Sequence, residues 1–122
     1  MNILKFAGRA ALAAIFVQSG LESVQRPAGR ARLVERAGLP EPELLTRING
    51  GLMAGAGAML AAGLAPRSSA LTLAALLLPT TIVGHAYWNA PAEQREGQRI
   101  HFLKNLAMLG ALLLVVADRD AR

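Results

Sequence analysis

The sequence SSALTLAALLLPTTIVGHAYWNA, residues 68–90, lies in the longest uncharged stretch of the chain, and none of its side chains carries a full charge at neutral pH. Arg67 alone separates it from a second uncharged stretch, residues 48–66. A helix of about 20 apolar residues crosses the hydrocarbon layer of a bilayer. Since both stretches approach or exceed that length, we expect each of them to lie in a membrane-spanning helix.

The composition of the whole chain agrees with a membrane protein. Of 122 residues, 53% are hydrophobic and 17% are charged, against roughly 25% charged residues in an average soluble domain. The length predicts a single domain, residues 1–122. The chain has no cysteine, which excludes disulfides, thiolate nucleophiles and cysteine-ligated zinc or iron–sulfur clusters.

The net charge of +5 does not indicate nucleic-acid binding. Basic residues flank the apolar segments, and the arginines of residues 25–47 have glutamates close by in the sequence. Basic flanks are typical of membrane spans. We therefore expect the lipid bilayer, and no nucleic acid, as the partner of these charges. The side with the two longer connectors between the apolar segments, residues 25–47 and 91–99, holds more basic residues than the side with the termini, which slightly favours cytoplasmic connectors. The basic residues beside the first apolar segment favour the opposite orientation.

The chain has four apolar segments, near residues 3–24, 44–65, 68–90 and 100–117. We expect an all-α fold: an integral membrane four-helix bundle with a short amphipathic helix, residues 29–38, in the first connector. That helix is expected on the membrane surface, and a solvated loop is the alternative. Four spans place both termini on one side. The first segment also has features of a cleaved signal peptide, but its small-residue spacing is poor for cleavage, so we expect a retained span.

The second and third apolar segments each contain a feature that affects helix packing or geometry. Gly51 and Gly55 form a GxxxG pair, which lets a neighbouring helix approach closely. We expect this face to pack within the chain rather than to form a homodimer. Pro79 removes a backbone hydrogen bond from its helix, and the hydroxyls of Thr80 and Thr81 are expected to bond to carbonyls there.

Polar side chains near the spans collect at one end of the predicted bundle. We expect six of them to line a ligand-binding pocket: Glu22, Asn49, His85, Trp88, Lys104 and Asn105. Ionisable groups in membrane spans are functional hypotheses because their isolation in hydrocarbon is costly. The alternatives are an interfacial ion pair between Glu22 and Lys104 and a hydrogen-bonded packing role for His85. We expect no catalytic residue and no metal, since two histidines without cysteine make a poor ligand set.

Three stretches of the sequence resemble the DoxX family of small four-helix bacterial membrane proteins. They are RAALAAIFVQSGLESV at residues 9–24, GHAYW at residues 84–88 and FLKNLAMLG at residues 102–110. The family motifs carried over are His85 with Trp88 and Lys104 with Asn105. Many members have a basic residue after the glycine of the first helix, where this chain has Glu22 and Ser23. An anionic-ligand role borrowed for that position is therefore in doubt.

The resemblance implies a multi-pass protein of the bacterial inner (plasma) membrane. Similar members are associated with membrane oxidoreductases, including thiosulfate:quinone oxidoreductase. We therefore expect a non-catalytic accessory or anchoring subunit with no intrinsic cofactor, quinone as a candidate ligand and oxidoreductase subunits as partners. The alternative is a stand-alone small-molecule or lipid binder, a transporter or an assembly chaperone that uses the same polar pocket. Transport would require a homo-oligomer, because four short helices are a thin framework.

Overall fold

The structure, a computed structural model, describes residues 2–84 and 87–118. Within these two ranges the chain is helical with short turns and contains no strand. In chain order the elements are α1 (Ile3–Gln25), α2 (Ala28–Arg36), α3 (Pro42–Ala62), α4 (Pro66–Gly84), a 3₁₀ turn (Tyr87–Asn89) and α5 (Ala92–Ala117). The all-α prediction is confirmed, and α2 is the short helix expected in the first connector.

The helix ends follow from the residues that occupy them. The side chain of Asn2 accepts hydrogen bonds from two backbone N–H groups in the first turn of α1. Gly38 and Gly63 have φ angles of +80° and +74°, a left-handed conformation that glycine adopts at little cost. They terminate α2 and α3. Pro42 lies in the first turn of α3, where its missing N–H has no helical partner to lose.

The last helix is longer than its apolar pattern indicates. Residues 91–99 were expected to form a connector, but α5 already begins at Ala92. Its polar start consists mostly of good helix formers, and Glu93 in the first turn is favourable near the positive end of a helix. The fourth apolar segment is therefore the inner part of a helix with a charged extension.

The four long helices pack in the order α1, α3, α4, α5, and α2 lies against α3 and α4. All four long helices contribute to the core, in which Leu60, Leu73 and Leu112 are fully buried. At one end of the bundle, Lys5 Nζ of α1 lies 3.0 Å from Asp118 Oδ2 after α5. We call this the terminal end and the opposite end, with α2 and the 3₁₀ turn, the connector end. Among the described residues, the start of α1 and the end of α5 thus lie at the same end of the bundle, as four spans require.

The outer surface of the bundle is apolar. Leu4 of α1 is 83% exposed and Leu114 of α5 is 75% exposed, and large apolar side chains are also exposed on α3 and α4. Three segments are long and apolar enough to cross a membrane: Ile3–Gln25, Pro66–Asn89 and Ala92–Ala117. Lipid solvates such a surface, whereas water does so at a cost. The chain is therefore a multi-pass membrane protein.

The α1–α3 contact uses a different glycine face from the predicted one. A Cβ atom on Gly20 of α1 would collide with the backbone oxygen of Gly50, and one on Gly50 would lie 2.5 Å from Ser23 Cβ. Gly51 and Gly55 are exposed, and a Cβ on Gly55 would meet no described atom within 4 Å. The expectation that Gly51 and Gly55 form the packed face is wrong. Gly20 of α1 lies against Gly50, so the face of α3 that packs on α1 is the one that contains Gly50.

Candidate functional site

Two side-chain amides connect α4 to its neighbours directly after Pro79. Asn49 of α3 donates from Nδ2 to Thr80 Oγ1 at 2.9 Å, and Asn105 of α5 donates from Nδ2 to Thr81 Oγ1 at 3.0 Å. Consecutive helical residues point about 100° apart. The two threonines can therefore bond to different helices, and α4 is held between α3 and α5.

Both threonine hydroxyls also donate to their own helix. Thr80 Oγ1 bonds to Leu76 O at 2.9 Å, and Thr81 Oγ1 bonds to Leu77 O at 2.7 Å. The sequence predicts these hydroxyls at carbonyls that Pro79 frees. The carbonyl that loses its N–H partner at Pro79 is that of Ala75, and the two hydroxyls bond to the next two carbonyls along the helix. Pro79 has no N–H to donate, and the added bonds support the helix where its backbone ladder is interrupted.

A groove of about 450 Å³ lies beside Asn49, between α1, α2, α3 and α4. Leucine, isoleucine, valine and methionine side chains form most of its walls, and Pro79 lines it from α4. Its polar lining residues are Ser19, Ser23, Arg30, Thr46, Asn49 and Thr80. Ligand sites in proteins combine apolar walls with a few convergent polar groups in this way, and we refer to this cavity as the groove.

The α1–α3 crossing fixes the back of the groove. Gly50 lines it, and the adjacent Gly20 brings the α1 backbone against α3. Ser19 and Ser23, one turn apart on α1, consequently face the same cavity as Thr46 and Asn49 of α3. The short helix α2 lies over this region and adds Arg30 to its lining.

The hydrogen bonds of the groove leave one acceptor without a donor. Oδ1 of Asn49 is buried and has no hydrogen-bond partner within the described part of the chain. A buried polar atom in this state costs free energy until a donor reaches it. The Asn49 amide therefore keeps unused hydrogen-bonding capacity inside the bundle, next to the groove.

Glu22 is paired with an arginine of α2. Its Oε2 lies 3.6 Å from Arg30 Nη2, and both side chains are about half exposed. The alternative of an ion pair between Glu22 and Lys104 is therefore not what the structure shows, because α2 places Arg30 beside the end of α1. Lys104 is exposed on α5 and does not line the groove.

Trp88 and Asn105 lie on the α5 side of the connector end. Trp88 is half exposed and forms edge-to-face contacts with Tyr87 and Phe102, with ring centroids 5.3 and 5.6 Å away. Asn105 is buried against α4.

Of the six predicted site residues, His85 lies outside the described residues, and Asn49 is the one that lines the groove. The five described residues therefore form two separate groups rather than one pocket. Glu22 and Asn49 lie on α1 and α3, and the other three lie in the 3₁₀ turn and α5.

The hydroxyl residues of the groove are not among the residues predicted from the sequence. Ser19 and Ser23 are spaced by four residues, and Thr46 and Asn49 by three, so each pair lies on one helical face. That spacing was available as a signal, but small hydroxyl residues are common in membrane helices. Within residues 2–84 and 87–118, no three histidine, aspartate or glutamate side chains are placed to hold a metal ion.

The chain is similar to known membrane proteins. Residues 4–86, which contain α2, α3, α4 and nearly all of α1, match the model of the DoxX family. The inner membrane protein YphA of Escherichia coli strain K12 is 26% identical over 113 residues, which cover 93% of this chain and 81% of YphA. No solved structure matches. This relative and the three apolar helices place the chain in the inner membrane as a multi-pass protein. Because the family model covers more than half of its length, the chain belongs to the DoxX family.

Proposed function

We propose that this chain is a non-catalytic accessory subunit of a membrane oxidoreductase and that its groove holds an amphipathic small molecule for that complex. The observation that carries the binding role is the combination of apolar walls with a small set of polar lining residues contributed by four helices. The oxidoreductase partner is inferred from the resemblance of the sequence to redox-associated DoxX proteins.

We infer that α3 is the fourth membrane span, although its many glycines and alanines make it less apolar than the other long helices. Lys5 and Asp118 are ion-paired at the terminal end. A chain that starts and finishes on the same side of a membrane crosses it an even number of times. Three crossings would separate these two residues by the thickness of the bilayer. Since α3 packs between α1 and α4, it is the element that supplies the fourth crossing.

A quinone-type ligand is compatible with the residues of the groove. Its isoprenoid or alkyl tail matches the apolar walls, and its ring would lie near Asn49 and Thr80. When bound, such a molecule would supply two-electron redox chemistry to the partner enzyme. The residues of this chain would orient its head by hydrogen bonds and exclude water from it by the leucine and valine walls.

A stand-alone binder of lipid or another small molecule is the second candidate. One observation favours it: helices of a single chain form the groove, with α2 as its cover. Such a binder would hold the same ligand without an oxidoreductase. A transporter would in addition require further copies of the chain, and an assembly chaperone would require client proteins. The two candidates therefore differ in their protein partners and share the ligand site.

The test is purification of the tagged chain from its native membranes in polymer-bounded lipid discs. Redox subunits are sought by mass spectrometry and by flavin or haem absorbance, and extracted quinones and lipids are quantified. Val83→Trp fills the groove from α4, and Leu78→Trp is the matched control, because Leu78 is exposed and lies outside the groove.

If the chain is an accessory subunit, we expect a redox subunit to co-purify with the wild-type chain in stoichiometric amount. We also expect an enriched small molecule that Val83→Trp loses and Leu78→Trp retains. The same enrichment without a redox subunit would support the stand-alone binder. Equal extracts from the two variants and from empty membrane discs would contradict the binding role in both candidates.

A further inference from the structure

We propose that a cleft between α1 and α5 at the terminal end binds a membrane phospholipid whose head group has a net negative charge. The cleft has a volume of about 270 Å³, and no described residue lines both it and the groove. It is a second site, and the proposal does not depend on a ligand in the groove. We call it the terminal cleft; it lies between an α1 face with Lys5, Arg9 and Leu12 and an α5 face with Ala111, Leu114 and Asp118.

The terminal cleft is charged at its mouth and apolar below. From the terminal end inward, α1 contributes Lys5, then Arg9 one turn deeper, then Leu12. Residues three or four apart share one helical face. The α5 helix runs in the opposite direction and contributes Asp118 at the mouth, with leucine, valine and alanine side chains below it. A phospholipid has the same order, with a charged head at the membrane surface and hydrocarbon chains beneath it.

The terminal cleft opens sideways to the bilayer. The helices α1 and α5 stand at the two ends of the packing order, and the cleft lies where they meet. Gly8 and Leu114 of its lining are exposed, and a Cβ atom on Gly8 would meet no described atom within 4 Å. An acyl chain can therefore enter between the helices from the lipid without passing through water. This access favours a ligand that comes from the membrane.

Arg9 supplies the charge that selects the head group. Lys5 Nζ and Asp118 Oδ2 lie 3.0 Å apart and offset each other. Arg9 forms no hydrogen bond or ion pair with another described residue. The described lining of the terminal cleft therefore has one positive charge without a counter-ion. An uncompensated charge within a span is costly, and an anionic head group beside Arg9 lowers that cost.

The Arg9 side chain has donors that a ligand can reach. Its Nε is the one guanidinium nitrogen that is buried and without a partner, so the two Nη groups keep accessible surface. Nη2 lies 4.0 Å from the position of a Cβ atom on Gly63, the residue directly after α3. The guanidinium therefore extends towards the terminal surface, as arginines near the ends of spans do. Lipid phosphates lie at that surface, and guanidinium N–H groups bind phosphate oxygens in pairs.

The experiment is native mass spectrometry of the purified full chain, titrated with phosphatidylglycerol or with phosphatidylcholine that has identical acyl chains. Both heads contain a phosphate, and the choline cation offsets its charge. We expect phosphatidylglycerol to bind about fivefold tighter, which corresponds to about 1 kcal/mol for one basic side chain near anionic lipid. An excess of glycerol phosphate, which has no acyl chains, should not displace it.

Two substitutions test the residues, and each has a matched control. Arg9→Gln should abolish the fivefold preference, and Arg67→Gln should retain it, because Arg67 is basic at the same end but bonds to Val116 O and does not line the cleft. Gly8→Phe fills the cleft and should also abolish the preference. Gly55→Phe should retain it, because Gly55 is an equally open helical position on α3, outside the cleft.

Equal affinities of the wild-type chain for the two lipids would overturn the proposal, whether or not the variants fold. Water and the end of α3 would then be sufficient partners for Arg9. A preference that survives Arg9→Gln would refute the role of its charge, and one that survives Gly8→Phe would place the lipid outside the cleft. Displacement by glycerol phosphate would show a site for free phosphate and would also contradict a lipid ligand.

Discussion

The α1–α3 contact and the contacts of α4 differ in what holds the helices together. At the first, Gly20 and Gly50 bring two backbones together without side chains between them. At the second, asparagine amides of α3 and α5 bond to Thr80 and Thr81. Lipid tails are as apolar as leucine, so membrane helices associate through close packing and polar bonds. Shape fixes the first contact, and hydrogen bonds fix the second.

The difference explains where the groove lies. A close-packed glycine crossing has no room for a cavity, whereas the amide-linked helices are held at a distance set by their side chains. The groove occupies the space between these two kinds of contact, with Gly50 on one wall and Thr80 on another. An amide contact can also leave one of its polar atoms without a hydrogen bond, and Asn49 Oδ1 is such an atom among the described residues.

The largest predicted effect comes from filling the glycine crossing. Gly20→Ala should destabilise the bundle by about 1–3 kcal/mol, because the new Cβ would overlap backbone atoms of α3. Gly55→Ala is the control, since its Cβ would meet open space among the described residues, and it should leave stability unchanged or raise it by up to about 1 kcal/mol, the usual gain when alanine replaces a helical glycine. Denaturant titration in mixed micelles, followed by circular dichroism, measures both. Equal effects of the two substitutions would contradict the assigned packing face.

A smaller effect is expected at the amides of α4. Asn105→Leu should cost about 1 kcal/mol, within the range measured for interhelical hydrogen bonds in membranes. Asn49→Leu should cost less, because it removes the same kind of bond and also removes a buried acceptor without a donor. The same titration compares them in ligand-free micelles. If Asn49→Leu were the more destabilising of the two, Asn49 Oδ1 would have a hydrogen-bond partner in the folded protein.

The smallest effects are expected at the ion pairs of the two ends. The pair Lys5–Asp118 has a 3.0 Å contact and is the less exposed, so a double-mutant cycle with Lys5→Met and Asp118→Asn should give a coupling of about 0.5 kcal/mol. The pair Glu22–Arg30, at 3.6 Å and about half exposed, should give about zero. Added salt should reduce the first value. A larger coupling at Glu22–Arg30 would mean that α2 is held by charge rather than by packing.

Much of the fold could be predicted because the signals are local. Uncharged length predicts the spans, Gly38 and Gly63 stop helices by their left-handed conformation, and Pro42 starts one. The polar start of α5 was missed because it carries no apolar periodicity. A helix that extends out of the membrane needs only helix-forming residues, which the hydropathy pattern does not distinguish from a connector.

The candidate site was less predictable because it depends on contacts between distant segments. Gly50, Gly51 and Gly55 offer alternative glycine faces on α3, and only the position of Gly20 on α1 decides between them. Asn49 was predicted from its polar character near a span. The pairing of Glu22 with Arg30 depends on where α2 lies, and no spacing in the sequence reports that position.

The central claim is that the groove is a ligand site, and the absence of cysteine from the chain allows a direct measurement. Ser19→Cys introduces a thiol at the wall of the groove with little change in size, and Ser68→Cys introduces one at an exposed position outside it. The rate of maleimide labelling is measured in nanodiscs with and without decylubiquinol or dioctanoylglycerol. We predict that at least one of these probes slows labelling at the Ser19→Cys thiol and that neither changes it at the Ser68→Cys thiol. Unchanged rates at both thiols under saturating concentrations of both probes would contradict it.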